Sequence, residues 1–452
     1  STQGVSSAAS DVYKRQIHSH FKARIFYIFM TVFFVKAQNM DLFTASSADT
    51  TQELTRSSGL AMLKAFTPLA GAQYARERNF DKGRGQHLSV SCLSPYIRRR
   101  LISETEILQA VQARHSFSAS EKFISEIFWR TYFKGWLEMR PLIWSEWLAS
   151  APSALTDARF IQACSGQTDI SCFNEWADEL RETGYLHNHA RMWFASIWIF
   201  TLKLPWQWGA AFFMQWLRDG DPASNTLSWR WVAGLHSRGK HYLARADNIE
   251  RFTNGRFAPY DILDETALPV SGAEPPPATE PVWPELPLKN RYLLILHAED
   301  CLPENLPLPG APEAVLVLPG AMGNIPLGTG WLRDASIDKL DSAALADAGV
   351  RAGAHFNCPV HTLALADGAN LEADALPDIA RQISEYARHY TLGDLMYSYT
   401  PTGPWQQNMA HIMQLAHKAD LQSHQLVRGY DRMCWPCLLY TSDAADDTPC
   451  VD

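Results

Sequence analysis

The stretch that decides the fold is Thr183–Trp231, which reads TGYLHNHARMWFASIWIFTLKLPWQWGAAFFMQWLRDGDPASNTLSWRW. It holds twelve aromatic residues, a His-Asn-His-x-Arg-Met cluster and an Asp-Gly-Asp-Pro-Ala-Ser-Asn turn. An ordinary core helix has no use for so many polar groups set beside tryptophans. We therefore expect this stretch to hold a large, flat, redox-active ligand among rings and fixed charges.

The hydrophobic spacing around this stretch is helical from Tyr74 to Phe257. Glycine, serine and proline interrupt it at positions 83–85, 165–166, 205, 220 and 234, where turns are expected. Apolar and polar residues do not alternate there in the manner of a strand. The sequence therefore predicts an all-helical domain, which we place at residues 40–273.

A proline-rich segment at residues 274–288 marks the end of the helical domain and predicts a stiff linker. Beyond it, short apolar runs separated by helical patterns predict strands at 292–297, 313–318, 360–365, 395–400 and 425–427. Strands that alternate with helices indicate a parallel sheet. We expect a mainly α protein whose second, smaller domain, at residues 289–436, is α/β and Rossmann-like, although it has no Gly-rich phosphate loop.

Both ends of the chain carry peptides that a transposase sequencing adaptor encodes in its two orientations, namely Ser6–Gln16 and Cys437–Asp446. We exclude the tail at residues 437–452 from fold reasoning for this reason. Met40 is then a reasonable first residue. We expect residues 1–39 to be adaptor and untranslated sequence without fixed structure.

The formal net charge of -8 disfavours a globally basic nucleic-acid binder. From Leu69 to Arg140, however, twelve basic residues stand against seven acids. A basic surface there could hold a phosphate backbone, and solvated helix faces are the alternative. Six cysteines outside the excluded tail show neither a pairing pattern nor metal spacing, so we expect a cytoplasmic protein without a metal or a membrane.

The motifs TGYLHNHARM, LPWQWG and DGDPASN, in that order, resemble the flavin-binding helical domain of the DNA photolyase/cryptochrome family. The resemblance extends more weakly over Tyr74–Phe257 and implies FAD as the cofactor. In that family an α/β antenna domain normally precedes the helical domain, whereas here the α/β segment follows it. This segment is either a permuted or reduced antenna-like domain or an unrelated one, and the sequence names no antenna chromophore.

The resemblance implies seven residues at the FAD: Tyr74, Ser91 and Ser94 at the diphosphate, Arg191 and Asp219 beside the isoalloxazine ring, Asp221 at the ribityl side, and Asn225 facing flavin N5. Hydroxyls and backbone N–H groups at a helix start suit a diphosphate. An amide can hydrogen-bond N5 in either protonation state. Taken alone, Ser94 and the DGDPASN turn could equally be helix caps.

The same resemblance implies residues that face a DNA lesion. The catalytic positions are Glu126, Asn188, Met192 and Trp231, and the DNA-contacting positions are Arg78, Trp129 and Arg130. Asn188 and Met192 correspond to the pair in family members that act on cyclobutane dimers, although Met192 alone could be a core filler. Two indoles, Trp129 and Trp231, could replace the stacking that an extruded thymine dimer loses.

Trp229 and Trp206 match the first two steps of the chain that carries electrons to the photoexcited flavin. The third step falls near Ala163, which is not aromatic, and Trp176 or Trp193 remain open as substitutes. Together these matches predict a deoxyribodipyrimidine photolyase-like lyase that repairs cyclobutane dimers in single- or double-stranded UV-damaged DNA under blue light. The alternatives are a cryptochrome-like photoreceptor and a flavin domain kept as a nucleic-acid binding module.

Overall fold

The computed structural model describes residues 54–150, 157–237, 239–285, 291–323, 333–365 and 375–435. The expected adaptor peptides, Met40 and the last residues of the expected linker lie outside this range. Within it, helices come first and a sheet with helices follows, as the sequence predicts.

Helices build the first part of the described chain. They are α1 (Arg56–Phe66), α2 (Ala72–Glu77), α3 (Ser94–Arg98), α4 (Glu104–Gln112), α5 (Phe117–Glu138), α6 (Leu142–Ala149), α7 (Ala158–Ser165), α8 (Ser171–Thr183), α9 (Asn188–Ser196), α10 (Trp206–Trp216), α11 (Pro222–Ala233) and α12 (Ala246–Phe252). Helix α9 continues into a π-helical turn, Ile197–Thr201. No strand occurs among the described residues of this part, which confirms the all-helical prediction.

Both ends of α11 are set by local sequence. The Asp221 side chain accepts a hydrogen bond from the Ser224 N–H, and Pro222 occupies the first turn, where its missing N–H costs nothing. Gly234 ends the helix with φ 81°, a left-handed conformation that favours glycine. These caps fix the position of the DGDPASN turn relative to the rest of the bundle.

Tryptophans fill the centre of the helical part. The fully buried ones are Trp144, Trp147, Trp176, Trp193, Trp198 and Trp229. Gly209 on α10 makes room for the ring of Trp229, because a Cβ at Gly209 would lie 2.2 Å from that ring. Helices α10 and α11 therefore approach closely at this point.

The second part is a five-stranded parallel sheet in the order β3-β2-β1-β4-β5. Its elements are β1 (Leu293–Leu296), β2 (Ala314–Val317), α13 (Ala335–Phe356), β3 (Val360–Thr362), α14 (Leu376–His389), β4 (Asp394–Ser398), α15 (Pro404–His417), β5 (Gln422–Leu426) and α16 (Gly429–Cys434). The α/β prediction is confirmed, although the last strand begins at Gln422, three residues before the predicted start.

Three consecutive arginines, Arg98–Arg100, join the two parts, and we call them the interface arginines. Their ion pairs, each with an N–O distance of 2.6 Å, are Arg98–Glu299, Arg99–Asp341 and Arg100–Asp431. All six side chains are buried. The prediction that these arginines belong to a basic, phosphate-binding surface is therefore wrong, because carboxylates of the α/β part neutralise them out of contact with water.

The proline-rich segment lies against both parts. The Thr279 N–H donates to the Met139 carbonyl at 2.9 Å, and Arg140 Nε donates to the Pro276 carbonyl at 3.1 Å. The ring of Trp283 packs 5.6 Å from that of Trp435 in the α/β part. The described portion of this segment is thus a fixed connection.

Candidate functional site

A cavity of about 380 Å³ opens among α2, α5, α9 and α11, within the usual size range of small-molecule sites. Fifteen of the sixteen predicted site residues line it: Tyr74, Arg78, Ser91, Ser94, Glu126, Trp129, Arg130, Asn188, Arg191, Met192, Asp219, Asp221, Asn225, Trp229 and Trp231. The exception is Trp206. Folding thus brings residues from five separate segments of sequence into one place, namely 74–78, 91–94, 126–130, 188–192 and 219–231.

The carboxylate of Asp219 is buried at the side of this cavity. Its Oδ2 accepts from Arg191 Nη1 at 3.1 Å, whereas Oδ1 is buried without a hydrogen-bond partner among the described residues. Burial alone would raise the pKa of Asp219, but the charges of Arg191 and Arg130 together outweigh it, and the pKa lies below its usual value. The site therefore holds an ionised carboxylate with one oxygen left for a ligand donor.

Asp221 uses both of its oxygens within the protein. Oδ1 accepts from the Ser224 N–H at 2.8 Å, and Oδ2 pairs with Arg130 Nη1 at 2.7 Å. Burial opposes ionisation, but Arg130, Lys134 and Arg98 together lower the pKa of Asp221 to about 2. Asp221 thereby holds Arg130, a predicted DNA-contacting residue, against the turn.

Asn225 is buried on α11 at the cavity wall. Its Nδ2 donates to the Ala210 carbonyl at 2.9 Å, which fixes the orientation of the amide. The amide oxygen and the second N–H of Nδ2 remain for a ligand, so Asn225 can either accept or donate one hydrogen bond. This is the capacity that the predicted contact with flavin N5 requires.

The predicted lesion-facing residues lie on the same cavity. Arg78 forms an ion pair with Glu126. Trp129 and Trp231 are half-buried, and each indole contacts a tyrosine, Tyr132 at 5.3 Å and Tyr242 at 5.7 Å between ring centroids. Asn188, at the start of α9, is exposed, and Met192 follows one turn later.

Sequence reasoning missed several residues that line this cavity. Tyr185 lies below the guanidinium of Arg191, 5.7 Å from ring centroid to Cζ. Burial lowers the pKa of His189 to about 4, so its imidazole is neutral. Both stand inside the TGYLHNHARM motif, which offered a signal for them. His236 also lines the cavity, but it lies beyond the motif and only folding brings it there.

Trp229 lines the cavity, whereas Trp206 lies outside it on α10, one turn before Gly209. Gly209 packs against the ring of Trp229, and Trp206 precedes Gly209 by three residues on the same helix. Trp206 therefore lies about one helical turn from the point where α10 meets Trp229. The predicted order of these two electron carriers is compatible with this placement and stays a prediction.

The sequence does not identify the third electron carrier. Ala163 is buried. Trp176 and Trp193 stack on each other at 5.5 Å, and no ring contact joins either to Trp229 within the described chain. Trp198, which the sequence did not single out, lies 6.2 Å from Trp229 between ring centroids.

Residues 123–255 match the family model of the FAD binding domain of DNA photolyase. A deoxyribodipyrimidine photo-lyase of Vibrio cholerae is 27% identical over 191 residues, 40% of either chain. A photo-lyase of Thermus thermophilus is 34% identical over 190 residues, 39% of this chain and 42% of its own. A cryptochrome DASH of Idiomarina loihiensis is 30% identical over 205 residues, 43% of this chain and 45% of its own. The chain therefore matches less than half the length of these relatives.

The helical part is accordingly an FAD-binding domain. Its residues 123–255 are similar to the FAD binding domain of DNA photolyase, and the relatives it matches are photo-lyases and a cryptochrome DASH. Its residues fit the cofactor, because the unpartnered oxygen of Asp219 and the oriented amide of Asn225 are the groups that a polar heterocycle can complete. In the described chain no cluster of His, Cys, Asp and Glu could hold a metal ion. None of the described helices combines the length and apolar character needed to cross a membrane.

Proposed function

We propose that the chain is a light-driven, FAD-dependent lyase that repairs cyclobutane pyrimidine dimers in DNA. The observation that carries the proposal is that the residues predicted for FAD and those predicted for the lesion share one cavity. When bound and reduced, FAD supplies the electron that opens the dimer under blue light. A photoreceptor needs the FAD residues alone, so the second set favours repair.

Trp129 and Trp231 offer stacking surface at the cavity. An enzyme that acts on a base in DNA must remove the base from its stack, and aromatic walls compensate for the lost stacking. Each base stacked on an aromatic side chain contributes about 1–3 kcal/mol. These two indoles therefore support binding of an extruded dimer.

The Arg78–Glu126 pair supplies polar contacts at the same cavity. As a carboxylate, Glu126 can only accept hydrogen bonds, whereas the other N–H groups of Arg78 can donate to a pyrimidine carbonyl. Glu126 can donate only after it takes up a proton. Arg78 is therefore the donor that the ion pair offers, and Glu126 holds it in position.

A cryptochrome-like photoreceptor is the second candidate. It is favoured by the buried, non-aromatic Ala163 at the expected third step of the electron chain and by the α/β part that follows the helical part. On either view we propose a cytoplasmic protein. UV-damaged DNA is the partner only on the repair view.

The test uses the full chain. Flavin absorbance of the purified protein establishes FAD, and the reduced protein is then illuminated with blue light in the presence of an oligonucleotide that carries one thymine dimer. Chromatography measures recovered thymine on single- and double-stranded substrate, with a dark sample as control. Repair predicts light-dependent recovery. FAD-loaded protein that recovers no thymine on either strand form overturns repair and leaves the photoreceptor.

A further inference from the structure

A second cavity, of about 620 Å³, lies in the helical part. Its walls come from α6, the π-helical turn after α9, the start of α10, α11 and residues 270–276. It shares no lining residue with the cavity of about 380 Å³ that holds most of the predicted site residues, which we call the FAD cavity. Of the predicted site residues, only Trp206 lines it among those described, so this cavity touches the proposed electron path and not the flavin.

Arg230 is the unusual residue of this second cavity. Its side chain lines the cavity although the residue is only 8% exposed, and its Nε is buried without a hydrogen-bond partner among the described residues. Burial lowers its pKa, and Glu146, the described carboxylate whose charge opposes this, is exposed and forms no ion pair with it. A buried guanidinium without a counter-ion is costly, and an anion in the cavity would supply one.

The other walls of the second cavity combine aromatic and aliphatic side chains with two exposed carboxylates, Glu146 and Glu274. The guanidinium of Arg230 lies 5.8 Å from the ring centroid of Trp206. The indole N–H of Trp147 donates to the Gln207 carbonyl at 3.3 Å, so it is not available as a donor to a ligand. Lys203, at the same cavity, is exposed and paired with Asp264 at 2.5 Å. Arg230 is the buried cation of this lining, and its Nε without a hydrogen-bond partner, beside two indole walls, suits a planar anion.

We propose that this cavity binds a small aromatic carboxylate, whose carboxylate pairs with Arg230 and whose ring packs against Trp206 and Trp147. A guanidinium matches the two oxygens of a carboxylate with parallel hydrogen bonds. The volume of about 620 Å³ accommodates a molecule of one or two rings.

The site also extends the proposed function, and this part rests on it. Where Trp206 passes an electron towards FAD, a phenolic carboxylate in the second cavity is placed to reduce it again. One electron moves from the phenol to the oxidised indole, the hydroxyl proton passes to water, and a phenoxyl radical leaves. The cavity would then be the entry point for reducing equivalents.

Binding is tested with the full-length, FAD-loaded protein in the dark and without DNA. 1-Naphthoate is titrated by calorimetry, with the neutral 1-naphthamide as its matched control. We expect Arg230→Gln to weaken naphthoate binding about tenfold or more, because a hydrogen-bonded charge is lost. Glu146→Gln should tighten it about twofold, since an opposing charge is removed.

The matched control variant is Arg181→Gln. Arg181 is half-buried and, like Arg230, has a buried Nε without a hydrogen-bond partner among the described residues, but it pairs with Asp178 and lines neither cavity, so naphthoate affinity should stay unchanged. Equal affinity in wild type and Arg230→Gln, equal affinity for the amide, or no binding overturns the site. Glu146→Gln, at an exposed position, decides the question if Arg230→Gln fails to fold.

The electron-donor role has its own measurement. Photoreduction of the bound FAD by 4-hydroxybenzoate should be slower in Arg230→Gln and lost in Trp206→Phe. Binding that depends on Arg230, combined with equal photoreduction rates, overturns the donor role and leaves the site standing. Because the titration involves neither light nor DNA, its outcome is independent of whether the chain repairs dimers.

Discussion

The interface between the two parts and the FAD cavity both bury charged side chains, but they balance them differently. Each interface arginine has a carboxylate from the α/β part at 2.6 Å. In the cavity, Asp219 keeps one oxygen without a partner among the described residues. At the interface, Arg100 Nε and Asp341 Oδ2 also lack a hydrogen-bond partner, but each lies in an ion pair, with Glu104 at 3.8 Å and with Arg333 at 2.8 Å, whereas no ion pair of the described residues reaches Oδ1 of Asp219. Buried charges that the protein balances by itself hold structure together, whereas an oriented group left over marks where a ligand can bind.

The largest effect should follow from breaking the interface at Arg100. Its guanidinium bonds Asp431 through two nitrogens, at 2.7 and 2.6 Å. Arg100→Gln leaves the buried carboxylate of Asp431 without its partner, and we expect the free energy of unfolding to fall by about 3–5 kcal/mol. Urea denaturation followed by circular dichroism measures this change.

Arg381→Gln is the control for Arg100→Gln. Arg381 also pairs with two carboxylates, of Asp378 and Glu385, but the pairs lie on the exposed face of α14. Water replaces such contacts, so the free energy of unfolding should not change measurably. Similar losses of unfolding free energy in the two variants would contradict the view that burial makes the interface ion pairs important for stability.

The next largest effect concerns Asp219 in the FAD cavity, whose carboxylate keeps one oxygen for a ligand. Asp219→Asn keeps the shape of the side chain but removes the charge that faces Arg191. We expect FAD affinity to fall by about 1.5–3 kcal/mol, because hydrogen bonds of charged groups contribute this much. Fluorescence titration of the apoprotein with FAD measures it. Asp247→Asn, at an exposed position, is the control, and an equal loss there would remove Asp219 from the FAD site.

Local sequence was sufficient to predict the helices and strands, because each element has its own signal. Helical periodicity, the cap at Asp221 and the apolar strands at 293–296 and 314–317 all depend on neighbours in the chain. The sheet order could not be predicted, since strand neighbours are set by packing between distant segments. The position of the α/β part against the helical part could not be predicted from the sequence either.

The difference between the interface and the cavity was also beyond local sequence. Arg98–Arg100 and Arg130 look alike in the sequence as basic residues, yet only Arg130 lines the cavity. Their partners Glu299, Asp341 and Asp431 lie some two to three hundred residues away along the chain. Which charges find partners is decided only when those segments meet.

A third prediction separates the lesion side of the cavity from the FAD side. Trp231→Ala removes one stacking wall, and we expect affinity for an oligonucleotide with a thymine dimer to fall by about 1–3 kcal/mol while FAD remains bound. Fluorescence anisotropy measures the affinity, and absorbance measures the FAD content. Trp208→Ala, at another half-buried indole outside the cavity, should leave lesion affinity unchanged. Unchanged binding in Trp231→Ala would mean that this indole does not stack on the lesion.

The smallest effect concerns pH, and it tests whether the cavity lacks negative charge around His236. Burial, followed by the charges of Arg230 and Arg140, lowers the pKa of His236 to about 3. Histidine in the unfolded chain titrates near 6.5, so acid protonates the unfolded state first, and stability present above pH 6.5 is lost as the pH falls towards 3. This one group should remove about 1 kcal/mol between pH 6.5 and 5.5.

His236→Gln should therefore flatten the pH dependence of the free energy of unfolding over that interval. Urea denaturation at the two pH values measures the slope, which is insensitive to any constant loss of packing in the variant. His187 and His189 retain their own contributions, because burial lowers the pKa of each, to about 3 and about 4. His411→Gln, at an exposed site, should keep the wild-type slope. If His236→Gln also keeps the wild-type pH dependence of the free energy of unfolding, an anion in the folded protein already stabilises the protonated imidazole. The cavity would then resemble the interface at this position, since its charge would have a partner.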